Sequence, residues 1–280
     1  MTETPTTIDQ TRTETGIPSE STHYYFKDGR PCYTVPRANG NGERNTTLAD
    51  ARKLDLVPSY TEVSKVAARP GLEAWKANQL LDSALTLPMM PRELADDYKK
   101  RVILDAGEKS KKAREKGTEL HAAIEQLIRR EQPNEEWREH LATLYATLLQ
   151  HGIELLGGKA EHSFASPLGY GGKIDFHTDE PLIIDFKTTE HLNKKQLVWP
   201  EHVQQLAAYG FGVFGQHVGI GMDIIVLSEF RALNVFVGTE DKQVRVYEHE
   251  WLDLVDGFEC FKCLLSYWQR TKKFGQYAKK

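Results

Sequence analysis

The side chains best suited to chemistry gather in one stretch, Gly171 to Glu190, GGKIDFHTDEPLIIDFKTTE. Alternate side chains of an extended strand share a face. Asp185 and Lys187 therefore project together, while Ile184 and Phe186 point the other way. By the same rule Lys173, Asp175 and His177 share one face of the preceding strand, and Ile174 and Phe176 share the other. The short turn from His177 to Pro181 makes the two strands antiparallel neighbours, so that Asp175 and Asp185 lie across from each other. Two close carboxylates repel unless a proton or a cation sits between them. Hard oxygen ligands at that spacing suit Mg²⁺ or Mn²⁺. A lysine beside them can orient an attacking water or stabilise charge building on a phosphate, and metal-assisted phosphodiester hydrolysis requires such groups. The bland alternative is an ordinary ion pair on an exposed strand. The apolar run Leu182-Ile183-Ile184 argues instead for a strand at the centre of a sheet.

Two helical patterns flank this stretch. GTELHAAIE spaces Gly117, His121 and Glu125 four apart, and QLAAY places Gln205 and Tyr209 on one face at i and i+4. Taken singly, each reads equally well as packing. The elements that must carry these residues follow from periodicity. His23 to Val35 alternates aromatic and polar residues around the turn signal Asp28-Gly29, which predicts two short strands; Ala38 to Thr47 reads as a loop. Ser59 is placed to cap a helix, Pro70-Gly71 interrupts it, and LEAWKANQLLDSAL continues as an amphipathic helix. A charged helix over 92–114, a second over 117–130 and a third over 134–150 follow. Lys159 to Ala165, Gly171 to His177 and Pro181 to Thr188 predict a three-stranded meander. Pro200 to Val213 returns to helix, 222–227, 232–238 and 244–247 read as strands, and 250–273 is a closing helix. The fold class expected is α/β, a central mixed sheet flanked by helices, with a helical N-terminal half.

Composition narrows the function classes. The chain has 280 residues with 36 Lys plus Arg against 40 Asp plus Glu, a net charge of −4, so any nucleic-acid contact must use a local patch or metal ions. Lys99, Lys100, Arg101, Lys109, Lys111, Lys112, Arg114 and Lys116 cluster on the charged helix, but interleaved Asp96, Asp97, Asp105, Glu108 and Glu115 make a solvated face the plainer reading. Residues 1–21 are rich in Thr, Ser and Glu and read as a disordered tail without a secretory or mitochondrial signal. No apolar stretch is long enough to span a membrane, and three cysteines suit a reducing compartment, so the expected location is cytoplasmic. GxxxxGK[ST], GxSxG, HExxH and GxGxxG are all absent, which removes support for NTPase, serine-hydrolase, zincin and dinucleotide chemistry.

In combination and in order, the motifs resemble those of the PD-(D/E)XK nuclease superfamily, in its RecB-like exonuclease branch. That branch, which includes mitochondrial genome maintenance exonuclease and many phage exonucleases, carries GxxxHxxxE, GxxD, hhDhKT and QhxxY. Here these are Gly117-His121-Glu125, Gly172-Asp175, Ile183-Ile184-Asp185-Phe186-Lys187-Thr188 and Gln205-Leu206-Tyr209. The resemblance implies a restriction-endonuclease-like core over 117–280, behind a hairpin and helical region over 22–116 that forms a DNA-channel wall. It implies Asp175, Asp185, His121 and the Phe186 backbone carbonyl as ligands of Mg²⁺ or Mn²⁺, and Lys187 as the catalytic lysine. Gln205 and Tyr209 would position substrate or that lysine, with Glu125 and Glu161 as auxiliary acids. The function implied is a divalent-metal-dependent DNA exonuclease; a structure-specific endonuclease and a non-catalytic DNA-binding module are the alternatives. Leu56 to Gln79 also looks like a pattern of phage-encoded members, which suggests phage or prophage recombination, replication or genome processing. Leu72 and Trp75 within it read equally well as helical core. A helicase or single-strand annealing protein would act in trans, and the oligomeric state is open. Some relatives hold a [4Fe–4S] cluster, but Cys32, Cys260 and Cys263 fall one short of four thiolates, so no cluster is expected. Cys260 and Cys263 read as core residues of the final helix. Relief of carboxylate repulsion is expected to make Asp185→Ala more stable than the parent without metal.

Overall fold

A computed structural model describes residues 23–193, 196–217, 224–226 and 229–278. The expected N-terminal tail lies outside them. The chain opens with β1 (Tyr24–Tyr25), β2 (Thr34–Pro36), β3 (Glu43–Asn45), α1 (Leu48–Lys53), β4 (Val57–Pro58) and α2 (Tyr60–Ser64). It continues through α3 (Pro70–Thr86), α4 (Ala95–Ile128), α5 (Arg138–Gln150), β5 (Lys159–Ser166), β6 (Tyr170–His177) and β7 (Leu182–Thr189). The last elements are α6 (Pro200–Phe214), β8 (Gly215–His217), β9 (Ile224–Val226), β10 (Arg231–Gly238), β11 (Val244–Glu248) and α7 (Trp251–Lys272).

The architecture is mixed α/β, as expected. A five-stranded sheet runs in the order β11-β10-β7-β6-β5, which puts β7 in the middle, where its apolar run predicts it. β5, β6 and β7 form the antiparallel meander, and β10 returns parallel to β7. The helices divide between the faces. Leu206, Ala207, Ala208 and Tyr209 of α6 and Leu254, Phe258, Phe261 and Leu265 of α7 pack with Ile174, Ile183 and Ala232. Leu120, Ile124 and Ile128 of α4 and Leu141, Leu144 and Leu148 of α5 pack with Phe176, Leu182, Ile184, Phe186, Leu233, Val235 and Val237. Each strand of the β7–β10 pair thus feeds two cores by simple alternation.

Several local expectations change. β1 pairs with β4, and the Asp28-Gly29 turn closes only a single bridge, Tyr25 to Pro31. The expected loop over 38–47 contains β3, which pairs with β2. Ser59 caps as expected, accepting the Glu62 N–H, but its helix stops at Ser64. The charged helix and the GxxxHxxxE helix are one, α4, whose 34 residues run about 51 Å. No Gly or Pro stands between Lys109 and Lys116, so nothing interrupts the hydrogen-bond ladder there. Leu72 and Trp75 are exposed rather than core, along with Leu81, Leu85 and Leu94 on the α3–α4 pair. Cys260 and Cys263 are also exposed, and only Cys32 is buried. The basic residues of α4 have acidic partners where the ion pairs are described: Lys99 with Asp96, Lys100 with Asp97, Arg101 with Glu93 and Lys111 with Glu115. Among the described residues, no helix is long and apolar enough to cross a membrane.

Candidate active site

The site forms where β6 and β7 stop pairing. Their ladder holds Phe176 against Ile184 and His177 against Ile183. At the next position Asp175 enters the gap with its carboxylate, and Oδ2 accepts the Phe186 N–H at 2.8 Å. The side chain thus replaces a carbonyl that the sheet would have supplied. Strict alternation along β6 fails at the same place. Ile174 packs with α6 and α7, whereas Phe176 packs on the opposite face with α4 and α5. The expected sharing of one face by Ile174 and Phe176 is therefore wrong. The cause is local: Glu161, opposite Asp175 on β5, has a left-handed backbone at φ +55°, and the regular pairing of β5 with β6 skips these two residues. A two-residue irregularity of this kind re-aims side chains.

On β7 the alternation holds. Asp185, 3% exposed, faces α6 with both oxygens engaged. Lys187 Nζ donates to Oδ1 at 2.9 Å, and Asn234 Nδ2 donates to Oδ2 at 2.7 Å. Asn234 stands beside Asp185 in the parallel register of β10. Its own Oδ1 accepts from His249 Nε2 at 2.7 Å. On the other flank, Lys187 Nζ donates to Gln205 Oε1 at 3.1 Å, and Gln205 Nε2 donates to Tyr209 Oη at 3.3 Å. Burial, with Asp185 nearby, pushes the Tyr209 phenol well up, so it stays protonated at neutral pH. Hydrogen bonds on both sides therefore fix the lysine and its carboxylate.

The glycines of the motifs have packing reasons. A Cβ at Gly172 would stand 2.6 Å from the Tyr209 ring, so only glycine lets that ring lie on β6. A Cβ at Gly117 would stand 2.5 Å from Thr188 Oγ1, so glycine lets α4 come close to β7. One turn on, His121 reaches the cleft with Nδ1 3.9 Å from Asp175 Oδ2. Burial pushes Asp175 up to about 6, His121 opposes that shift, and Asp185 adds to it.

The cleft has a volume of about 410 Å³, and Asp175, Asp185, Phe186, Lys187, Gln205, Tyr209 and His121 all line it. The Phe186 side chain is buried in the α4–α5 core, so Phe186 presents its backbone to the cleft. The two auxiliary acids stand back. Glu161 pairs with Lys173, and Glu125 pairs with Arg129 and is pushed up by its burial and by Glu161. Neither lines the cleft. The sequence reading missed Asn234, His249 and the cleft residues His23, Tyr25, Tyr33 and Thr61. A signal existed for Asn234, a lone amide inside the apolar strand ALNVFVG. None marked the N-terminal aromatics, because Tyr25 pairs with Val57, His23 with Ser59 and Tyr33 with Thr46, partners well removed in the chain.

Searched against family models and against curated proteins, the chain matches none of them.

The donor set can be tested against a divalent ion. Among the described residues, no three His, Cys, Asp or Glu side chains already converge as a metal's ligands do. The chemistry nevertheless fits Mg²⁺ or Mn²⁺. Asp175 is a half-buried carboxylate held by one backbone N–H, beside a second carboxylate, a backbone and an imidazole. Its raised affinity for a proton marks a place short of positive charge.

Proposed function

We propose that this protein is a divalent-metal-dependent DNA exonuclease that hydrolyses phosphodiester bonds in the cleft between β6 and β7. One observation carries the reading. Asp175 and Asp185 meet where their two strands diverge, and Lys187 is bonded to Asp185 at the cleft wall. The order α4, β6, β7, α6 supports it, because the resemblance puts its four motifs on a helix, two strands and a helix in that sequence.

The residues divide the work. Asp175, Asp185, His121 and the Phe186 carbonyl would hold Mg²⁺ or Mn²⁺, which supplies a Lewis acid for the scissile phosphate and an acidified water as nucleophile. Lys187, held by Asp185 and Gln205, has a third N–H with which to orient that water and to offset charge growing on the phosphate. Gln205 and Tyr209 hold the lysine from the α6 side, so its ammonium group is aimed before substrate arrives. Asn234, fixed by His249, holds Asp185 from β10 and keeps the carboxylate from rotating toward the lysine alone. Gly172 and Gly117 set the distances of Tyr209 and α4.

The test is a digestion time course on end-labelled linear DNA beside a covalently closed circle, with Mg²⁺, Mn²⁺ or EDTA. Metal-dependent loss of linear DNA with the circle intact is expected. Cutting of the circle would move the assignment to an endonuclease of the same chemistry. DNA bound without cleavage would move it to a binding module.

A further inference from the structure

The cleft has a second wall that the hydrolytic chemistry uses only at one end. It is built on β6, at positions alternating with those that pack on α6. Gly171, Lys173 and Asp175 follow one another at every second residue, about 7 Å apart in an extended strand. Asp175 is the carboxylate at the chemical end. Lys173, paired with Glu161, lines the middle. Gly171 is the foundation of an aromatic pile: the Tyr25 ring lies against it, about 3.0 Å from where a Cβ would be. Tyr33 packs edge-on to Tyr25 with centroids 5.7 Å apart, and their hydroxyls are 3.1 Å apart. His23 then stacks on Tyr33, centroids 4.4 Å apart and planes 29° from parallel. Tyr25 is buried, whereas Tyr33 and His23 are half-buried, and all three line the cleft.

The backbone holds this pile firmly. The Ser59 N–H donates to the His23 carbonyl at 2.9 Å and the Thr46 N–H to the Tyr33 carbonyl at 2.9 Å. At the outer end of the pile, His23 Nε2 is buried and has no hydrogen-bond partner among the described residues. The half-buried Tyr33 and His23 rings therefore border the same space as the carboxylates.

We infer that the Tyr33–His23 pair is a stacking platform for an unpaired base flanking the scissile phosphate, so that the substrate is a single-stranded DNA end. The inference rests on the nuclease reading for the identity of the ligand. Every base has a π-face, so a ring platform accepts any sequence, and each stacked base contributes about 1–3 kcal/mol. The cleft holds about 410 Å³, room for a nucleotide beside the carboxylates. A base inside a duplex has its faces covered by its neighbours, so it must leave that stack before it can lie on the rings.

The test uses the full chain in a Lys187→Ala background with Mg²⁺, so that bound DNA persists. A short single strand carrying 2-aminopurine near its end reports stacking by loss of fluorescence, and a blunt hairpin duplex is the control. Quenching on binding is expected, with His23→Ala and Tyr33→Ala each weakening the single strand about tenfold and Tyr33→Phe nearly unchanged. His23, at the end of the pile, is the variant to rely on if Tyr33→Ala fails to fold. Absence of quenching, equal loss in Tyr33→Phe and Tyr33→Ala, or tighter binding of the blunt duplex would overturn the platform. Cleavage in an intact Lys187 chain is scored separately. Quenching without any cleavage would leave the platform and refute the nuclease; cleavage whose single- to double-strand ratio ignores His23→Ala would do the reverse.

Discussion

Asp175→Asn separates the electrostatics of the site from its catalysis. In the folded chain burial pushes Asp175 up to about 6, against an ordinary 3.8. The folded state therefore holds this proton more tightly than the unfolded state does. Stability tied to the proton is complete below pH about 4 and is lost as pH rises to about 6. Two pH units correspond to about 3 kcal/mol. The side chain keeps 21% of its exposure, so solvent screening brings a realistic figure nearer about 2 kcal/mol. Asparagine has the same shape, and its Oδ1 can still accept the Phe186 N–H. At pH 7.5 in EDTA the variant should melt about 4–8 °C above the parent, and at pH 4.5 that gap should fall to about half or less. With Mg²⁺ the order should reverse, because the parent gains a ligand that the variant binds poorly. The assay is a melting series over pH with chelator and with Mg²⁺. The reasoning fails if the variant melts at or below the parent at pH 7.5 in EDTA, or if the difference between the two is the same at pH 4.5.

Lys187→Ala should lower cleavage at least about 100-fold while leaving the Mg²⁺-induced rise in melting temperature intact, since the lysine is no metal ligand. Asp185→Ala, expected from sequence to stabilise, should instead destabilise by about 2 kcal/mol in denaturant melts, because it strands the Lys187 ammonium and the buried Asn234 amide. Gly117→Ala should cost about 1–3 kcal/mol through its collision with Thr188, and Thr188→Ala should recover part of that loss in the double variant. Asn234→Leu should reduce metal-dependent cleavage by releasing Asp185, a loss seen as a higher Mg²⁺ requirement in activity titrations.

The central sheet was legible because its strands are short, apolar and bounded by turns. Leu182-Ile183-Ile184 announced a middle strand, and β7 is the middle strand. Lys187 bonding to Asp185 followed from alternation alone. Alternation failed at Asp175, where a carboxylate displaces a ladder bond and Glu161 takes a left-handed turn; neither departure has a period for a sequence pattern to reveal. Relations between distant segments were the other loss. Tyr25 reaches the cleft because β1 pairs with β4, Tyr33 is tied back by Thr46, and His249 acts on the site through Asn234. The α3–α4 pair was misread for a further reason. Helical periodicity marks an apolar face but says nothing of whether the fold covers it, and Trp75 and Leu81 remain exposed.

Helix α4 joins two unlike parts of the molecule. It comes against β7 where Gly117 lies on Thr188. Beyond that contact Leu120, Ile124 and Ile128 anchor it in the core, and His121 stands four residues, about 6 Å, along it. Back from the contact the helix runs 22 residues, about 33 Å, to Ala95, beside the apolar flank it shares with α3. One helix thus carries both an imidazole of the cleft and a stretch that faces solvent, so anything seated on that stretch rests on the same rigid element as His121.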